Sequence, residues 1–131
     1  MFVDASAWTA IFLEEPEAEA FRLKLSDAPE PFTSALANWE SARAIARETS
    51  VSISEAMLDL AELQAVAGTS LVPIGRAEQD MAISAQLQFG KGRHPAKLNM
   101  GDCFAYACAR TNGVPLLFKG DDFALTDIEP A

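Results

Sequence analysis

Short apolar runs alternate with longer segments of helical periodicity along the whole chain, and this alternation constrains the fold more than any other feature. Strands are predicted at residues 2–4, 32–33, 71–74 and 114–118. Helices are predicted at residues 6–13, 17–25, 35–48, 76–89 and 102–110, with one more between Ser52 or Ser54 and Gly68. Such alternation is typical of a parallel sheet with helices packed on both faces. We therefore expect an α/β fold, a three-layer sandwich with a central, mostly parallel sheet.

Several residues indicate where these elements begin and where they lie. Ser6 and Ser34 precede helical segments and are expected to cap them, because a serine hydroxyl accepts a hydrogen bond from a free amide of the first turn. Pro73 places its strand at an edge or an end of the sheet, since proline has no amide hydrogen to donate. Neither an internal repeat nor a linker interrupts the pattern, which predicts one domain spanning residues 1–131.

The composition narrows the class of protein. No apolar stretch reaches the ~18 residues of a membrane span, and no basic leader precedes an apolar run at the N-terminus. Cys103 and Cys108 lie five residues apart in one predicted helix, where their side chains diverge, so we expect two free thiols in a reducing cytoplasm. Because the chain has only one histidine besides them, a zinc site is disfavoured.

Five acids stand beside core segments, where an uncompensated carboxylate costs several kcal/mol. Asp4 follows the first strand, Asp121 and Asp122 follow the last, Asp102 begins a helix, and Glu40 lies in an apolar-flanked helix. Ligands bind beyond the carboxyl ends of parallel strands, so these side chains are expected at one mouth. Converging carboxylates repel one another, and a hard divalent cation such as Mg²⁺ or Mn²⁺ is the simplest compensation.

Each of these acids, taken singly, could instead cap a helix or a strand end, form a turn, or lie exposed on a helix. Two other candidates are weaker. The acid run at residues 14–19 is expected to be a solvated helix start, and His94 is expected to be a loop residue. The net charge of −9 argues against non-specific binding to nucleic acid, except where a metal neutralises a local block of acids. That charge fits a protein that pairs with a basic partner.

Four segments around these acids resemble the signatures of PIN-domain ribonucleases, and more narrowly those of the VapC toxins of bacterial toxin–antitoxin pairs. The segments are residues 1–7 (MFVDASA), 39–40 (WE), 98–107 (LNMGDCFAYA) and 116–128 (LLFKGDDFALTDI). The resemblance spans essentially the whole chain. Its most specific parts are the segments GDCFAYA and FKGDDF.

The resemblance implies a Mg²⁺- or Mn²⁺-dependent endoribonuclease that cuts RNA and slows translation. Three near-invariant acids of the family fall on Asp4, Glu40 and Asp102, which would hold the metal. A fourth, less regular acid falls on Asp121 or Asp122. We favour Asp122, because adjacent residues of an extended segment point to opposite sides. Water would attack phosphorus in line, leaving a 5′-phosphate and a 3′-hydroxyl.

The resemblance also implies partners. A cognate antitoxin would cover the site, where an inserted arginine could pair with the acids, and a homodimer or a toxin–antitoxin hetero-oligomer is expected. Trp8, Ile11 and Phe12 could contribute to a partner or dimer surface, or simply pack in the core. Ser6 and Ser34 match small polar positions beside the acids and could orient ligands or water, as well as cap helices.

A basic loop at residues 91–97, together with Arg43, Arg47 and Lys119, could bind RNA phosphates, although scattered surface charge would look the same in sequence. Two rival functions are considered. A PIN-like module could regulate through a protein partner with little turnover, although intact acids argue against it. A metal-dependent phosphohydrolase of another α/β fold would normally carry a second Asp two residues after the first, where Ser6 stands here.

Overall fold

Four short strands form one parallel sheet in the computed structural model, which describes all residues from 1 to 131. The strands are β1 (Phe2–Val3), β2 (Phe32–Ser34), β3 (Ser70–Val72) and β4 (Leu116–Leu117), in the order β3-β2-β1-β4. Phe2 pairs with Phe32 on one side and with Leu116 on the other, so β1 lies in the middle of the sheet. The predicted parallel sheet is confirmed.

Six α-helices cover this sheet. They are α1 (Ala5–Phe12), α2 (Ala18–Asp27), α3 (Ala35–Thr49), α4 (Ile53–Val66), α5 (Arg76–Phe89) and α6 (Met100–Thr111), and a short 3-10 helix follows at Phe123–Leu125. Phe2 and Leu116 pack in a buried cluster with α5 and α6, whereas Val3 and Leu117 pack in a second cluster with α1, α2 and α4. Because successive strand residues point to opposite faces, the sheet separates two helical layers. The three-layer sandwich is therefore confirmed.

Three strands, β1, β3 and β4, are shorter than predicted, and proline is adjacent to the last two. Pro73 follows β3, which occupies an edge of the sheet as expected, and Pro115 precedes β4. Neither proline has an amide hydrogen for the ladder. The free side of β4 is met by the C-terminal residues, because the Leu116 amide donates to the Glu129 carbonyl and the Ala131 amide donates to the Leu116 carbonyl, both at 2.9 Å.

Two helix starts differ from prediction. Asp4, not Ser6, is the N-cap of α1, since its carboxylate accepts the Ser6 amide. Helix α6 begins at Met100, two residues before Asp102, because Asn99 is its N-cap. The expected cap of α3 is confirmed: the Ser34 hydroxyl accepts the Ala37 amide at 3.1 Å.

Residues considered for a partner surface lie mostly inside. Trp8 and Ile11 are fully buried and Phe12 is partly buried in the cluster around α1, so their core interpretation is correct. Cys103 and Cys108 are buried and unbridged, as expected. None of the helices combines the length and the apolar character needed to cross a membrane.

Candidate active site

A cavity of about 320 Å³ opens beside the end of β1 and contains the three acids that the sequence singled out as metal ligands. Asp4 comes from the β1–α1 junction, Glu40 from α3 and Asp102 from α6, so three separate elements deliver them. The full lining consists of Asp4, Ala5, Ser6, Thr9, Glu15, Glu40, Ala44, Asn99, Asp102 and Lys119.

Asp4 is the most buried of these acids, with 5% of its surface exposed. Its Oδ2 atom accepts hydrogen bonds from the amide of Ser6 at 3.0 Å and from the hydroxyl of Ser6 at 2.5 Å. Burial raises the pKa of Asp4, and these hydrogen bonds oppose the increase. The Oδ2 oxygen is thus committed to the start of α1.

Ser6 connects this acid to the last strand. Its hydroxyl donates to Asp4 and accepts the backbone amide of Lys119 at 3.0 Å. The hydroxyl therefore has a fixed orientation, and it joins the exit of β4 to the start of α1. Of the two roles considered for Ser6, the orientation of an acid matches the structure and the helix cap does not.

Glu40 lies about a turn and a half into α3 and is half-buried. Burial raises its pKa to about 7, with further contributions from the negative charges of Asp4 and Asp102, while Arg43 lowers it. Its carboxylate lies directly against Gly101 in α6, where any side chain would collide with it.

Asp102 is the third residue of α6 and forms a reciprocal cap with Asn99. The Asn99 side chain accepts the Asp102 amide at 3.0 Å, and the Asp102 carboxylate accepts the Asn99 amide at 2.8 Å. Burial raises the pKa of Asp102 to about 6, the hydrogen bond from Asn99 lowers it, and the charges of Asp4 and Asp122 raise it further.

Asp121 and Asp122 are both exposed and neither lines the cavity. They differ in their electrostatic reach, because Asp122 acts on the pKa of Asp102 while Asp121 does not figure among its causes. Asp122 also precedes the short 3-10 helix without using its side chain as a cap. The structure therefore brings together three acids, with Asp122 at the margin.

Sequence reasoning missed Glu15, Thr9 and Asn99. Glu15 belongs to the acid run that was expected to be solvated, and for this residue the expectation is wrong, since it lines the cavity and forms an ion pair with Lys119. The Asn99 position had a readable signal: an asparagine three residues before an acid is the pattern of a capping box. Thr9 had none.

The chemistry of the donors fits a hard divalent cation. The lining offers carboxylate oxygens without histidine or cysteine, which suits Mg²⁺ or Mn²⁺. Burial raises the pKa of all three acids, and the charges of neighbouring carboxylates add to the increase at Glu40 and Asp102. As they stand, no three side chains of the metal-binding types form a ready coordination group. Asp4 and Asp102 each use one oxygen to accept a local hydrogen bond instead.

A family model and several curated proteins match this chain along nearly its whole length. The model of the PIN domain matches residues 1–129. Ribonuclease VapC of Mycolicibacterium smegmatis is 40% identical over 98% of this chain and 97% of its own length. Ribonuclease VapC30 of Mycobacterium tuberculosis is 36% identical over 98% of this chain and 95% of its own. A VapC ribonuclease of Rhizobium meliloti is 37% identical over 97% and 98% of the two chains.

A solved structure shares the fold. The crystal structure of Mycobacterium tuberculosis VapC20, described as a toxin that cleaves the sarcin-ricin loop, superposes with a TM-score of 0.77. The alignment covers 99% of this chain and 97% of that one at 16% sequence identity. At that identity the likeness concerns the arrangement of strands and helices.

Proposed function

Because the chain belongs to the PIN-domain family and, within it, to the VapC ribonucleases, we propose that it is a Mg²⁺- or Mn²⁺-dependent endoribonuclease. Residues 1–131 act as one nuclease domain in the cytoplasm. Cleavage of RNA inhibits translation, and a cognate antitoxin neutralises the toxin by covering the acidic cavity.

One observation carries this proposal: Asp4, Glu40 and Asp102 converge from three elements on one cavity, and all three have raised pKa values. A protein keeps such a cluster at a cost in stability, since burial disfavours the ionised form of each carboxylate and neighbouring carboxylates add to that cost at Glu40 and Asp102. Clusters of strongly perturbed acids in a cleft mark functional sites.

The three acids would hold the cation, which when bound lowers the pKa of water and stabilises charge on a phosphodiester. Ser6 holds Oδ2 of Asp4 toward the start of α1, and this contact fixes the orientation of the whole carboxylate. Gly101 leaves the space that the Glu40 carboxylate occupies. Asp122 is exposed near Asp102, and its side chain is not used to cap the 3-10 helix. It would position water for in-line attack on phosphorus.

The distribution of positive charge supports an RNA substrate. Of ten basic residues, five form ion pairs with acids, and Lys24 contacts the carbonyl oxygen of Ala131. The other four contact no acid, and they are Arg43, Lys91, Arg93 and Lys97. Arg43 lies one turn beyond Glu40, and the lysines and Arg93 occupy the loop between α5 and α6. In an acidic protein, free cations concentrated in two places suit a polyanion.

The basic loop is ordered by its own backbone. The Lys91 amide donates to the Leu98 carbonyl and the Leu98 amide donates to the Phe89 carbonyl, both at 3.0 Å. The His94 ring packs edge-on against Phe89, with its centroid 5.3 Å away. The loop surrounds an open concavity of about 540 Å³, and Lys91, Arg93 and Lys97 are three of its six lining residues. Lys119 is excluded from this group, because Glu15 and Glu17 already neutralise it.

The test is cleavage of RNA by the purified protein with Mg²⁺, with Mn²⁺ and with excess EDTA. We expect 5′-phosphate products that require the metal and disappear with Asp102→Asn. Expression should arrest growth, and co-expression of an antitoxin from the neighbouring gene should restore it. RNA left intact under all metal conditions, with the partner still bound, would favour the regulatory-module function instead.

A further inference from the structure

Trp39 is a large aromatic side chain held at the surface immediately before an acid of the site. Half of it, 51%, is exposed, whereas Trp8, the other tryptophan, is fully buried. Exposure of so much apolar surface to water is unfavourable. Trp39 and Glu40 are consecutive in α3, so the ring lies on the part of the helix surface next to the one that carries Glu40 into the cavity.

Arg43 covers part of this ring. Its guanidinium carbon lies 4.6 Å from the ring centroid, one helical turn further along α3. Arg43 is one of the four cations that contact no acid, and it also lowers the pKa of Glu40. The pair therefore combines a flat aromatic surface with a free positive charge. Each of the two residues directly precedes a residue of α3 that lines the acidic cavity, Glu40 and Ala44 respectively.

We propose that Trp39, backed by Arg43, is a stacking platform for an unpaired RNA base next to the scissile phosphate. This inference rests on the proposed ribonuclease function and names a substrate-binding residue for it. Unpaired bases of RNA stack on aromatic rings and on arginine planes, and a free guanidinium meets the adjoining phosphate. The platform would hold the strand so that its backbone enters the cavity beside Glu40.

The surroundings of Trp39 favour RNA over a protein partner. The exposed stripe of α3 continues at intervals of four residues through Ala35, Trp39, Arg43 and Arg47. A protein interface centres on several apolar residues with few charges at its core. This stripe instead has one aromatic ring followed by two arginines, a pattern that suits stacking and phosphate contact.

The first test measures RNA cleavage by Trp39→Ala and Trp39→Phe. Removal of a stacking ring costs about 1–3 kcal/mol per base, so we expect the Trp39→Ala variant to raise KM about 5- to 150-fold with a smaller change in kcat. Trp39→Phe should retain most of the affinity, because every base can stack on a phenyl ring. Leu58→Ala is the control: it removes an apolar side chain that is 68% exposed on α4, away from the cavity.

The second test detects stacking directly. Subtraction of the fluorescence of a Trp39→Phe variant from that of the same protein with Trp39 intact isolates the Trp39 signal, since Trp8 is the only other tryptophan. Both proteins carry Asp102→Asn so that a short single-stranded RNA stays intact during titration with Mg²⁺ present. We expect the isolated signal to be quenched on binding, with a midpoint that matches the dissociation constant of the complex.

The outcomes separate this inference from the function on which it rests. Normal KM for Trp39→Ala, or an unquenched Trp39 in an RNA complex, would overturn the platform while metal-dependent cleavage stands. The platform is also wrong if Trp39→Ala spares RNA binding but abolishes binding of the antitoxin or of a second copy, because the ring is then a protein contact. A wild type that neither binds nor cuts RNA would overturn both proposals.

Discussion

A β-carbon added to Gly101 would stand 2.2 Å from Oε1 and 2.4 Å from Oε2 of Glu40. The Glu40 carboxylate thus fills the space that the side chain of any residue other than glycine would occupy at position 101. Such a distance is far inside van der Waals contact, so one of the two groups must move. Since the Glu40 carboxylate is the end of a flexible side chain, it is the group that moves.

Gly101→Ala should therefore reduce cleavage without unfolding the protein. Alanine is favoured over glycine within a helix by roughly 0.5–1 kcal/mol, which offsets the cost of the displaced side chain. We expect a melting temperature within a few degrees of the wild type and a higher Mg²⁺ concentration for half-maximal activity. Gly75→Ala is the matched control, because its added carbon would lie 3.4 Å from Oε2 of Glu78, an ordinary contact. Equal loss of activity in both variants would contradict the prediction.

Asp4 combines a cap with a proposed metal ligand, and two substitutions separate these roles. Asp4→Asn keeps an oxygen for the Ser6 amide but lowers the negative charge of the cluster, so cleavage should be lost while metal-free stability is retained or increased. Asp4→Ala also removes the cap, at about 1 kcal/mol. Thermal unfolding in EDTA should rank Ala below Asn. Cleavage by pure Asp4→Asn at the wild-type rate would refute the assignment.

The stability of the metal-free protein should fall as pH rises from about 4.5 to about 7. Glu40 has its pKa raised from 4.5 to about 7, and Asp102 from 3.8 to about 6. In this window the folded state binds more protons than the unfolded state, so the free energy of unfolding decreases as the pH rises. Melting temperatures in EDTA across this range test the sign, and Glu40→Gln should flatten the slope. Excess Mg²⁺ at pH 7.5 should restore stability through binding to the folded state.

The fourth acid can be assigned with two single substitutions at limiting Mg²⁺. Asp122→Asn should lower cleavage, since the charge of Asp122 reaches Asp102. Asp121→Asn should have little effect, because the hydrogen bond of 3.1 Å from the Ala124 amide goes to the Asp121 backbone carbonyl, which the substitution leaves in place. An effect confined to Asp121 would reverse this choice, and no effect at either position would mean that three carboxylates suffice.

The basic loop should contribute to RNA affinity through counterion release. Replacement of Lys91, Arg93 and Lys97 together by Gln should weaken binding most at low salt. The slope of log K against log salt should decrease by about 0.7 for each lost phosphate contact to a single strand. Arg76→Gln is the control, because Arg76 is exposed and paired with Asp80. An unchanged salt slope in the triple variant would show that the loop does not touch RNA.

The sequence alone determined the class of fold, because periodicity is a local property. The runs around β1 and β4 and the helices between them follow from side-chain patterns that need no knowledge of distant residues. Pro73 likewise predicted that its strand lies at an edge, because the lack of an amide hydrogen is a property of the proline itself. Asp4, Glu40 and Asp102 were selected as candidates because they lie in short motifs, and a motif is also a local property of the sequence.

Tertiary structure decided the features that depend on residues far apart in sequence. Ser6 looked like a cap until the fold brought the amide of Lys119 to its hydroxyl, and Glu15 looked solvated until Lys119 lay beside it. The space for Glu40 depends on a glycine in another helix. The pKa values of the acids likewise arise from burial and from one another's charges. A sequence lists these residues separately, whereas their energies depend on distances that exist only once the chain has folded.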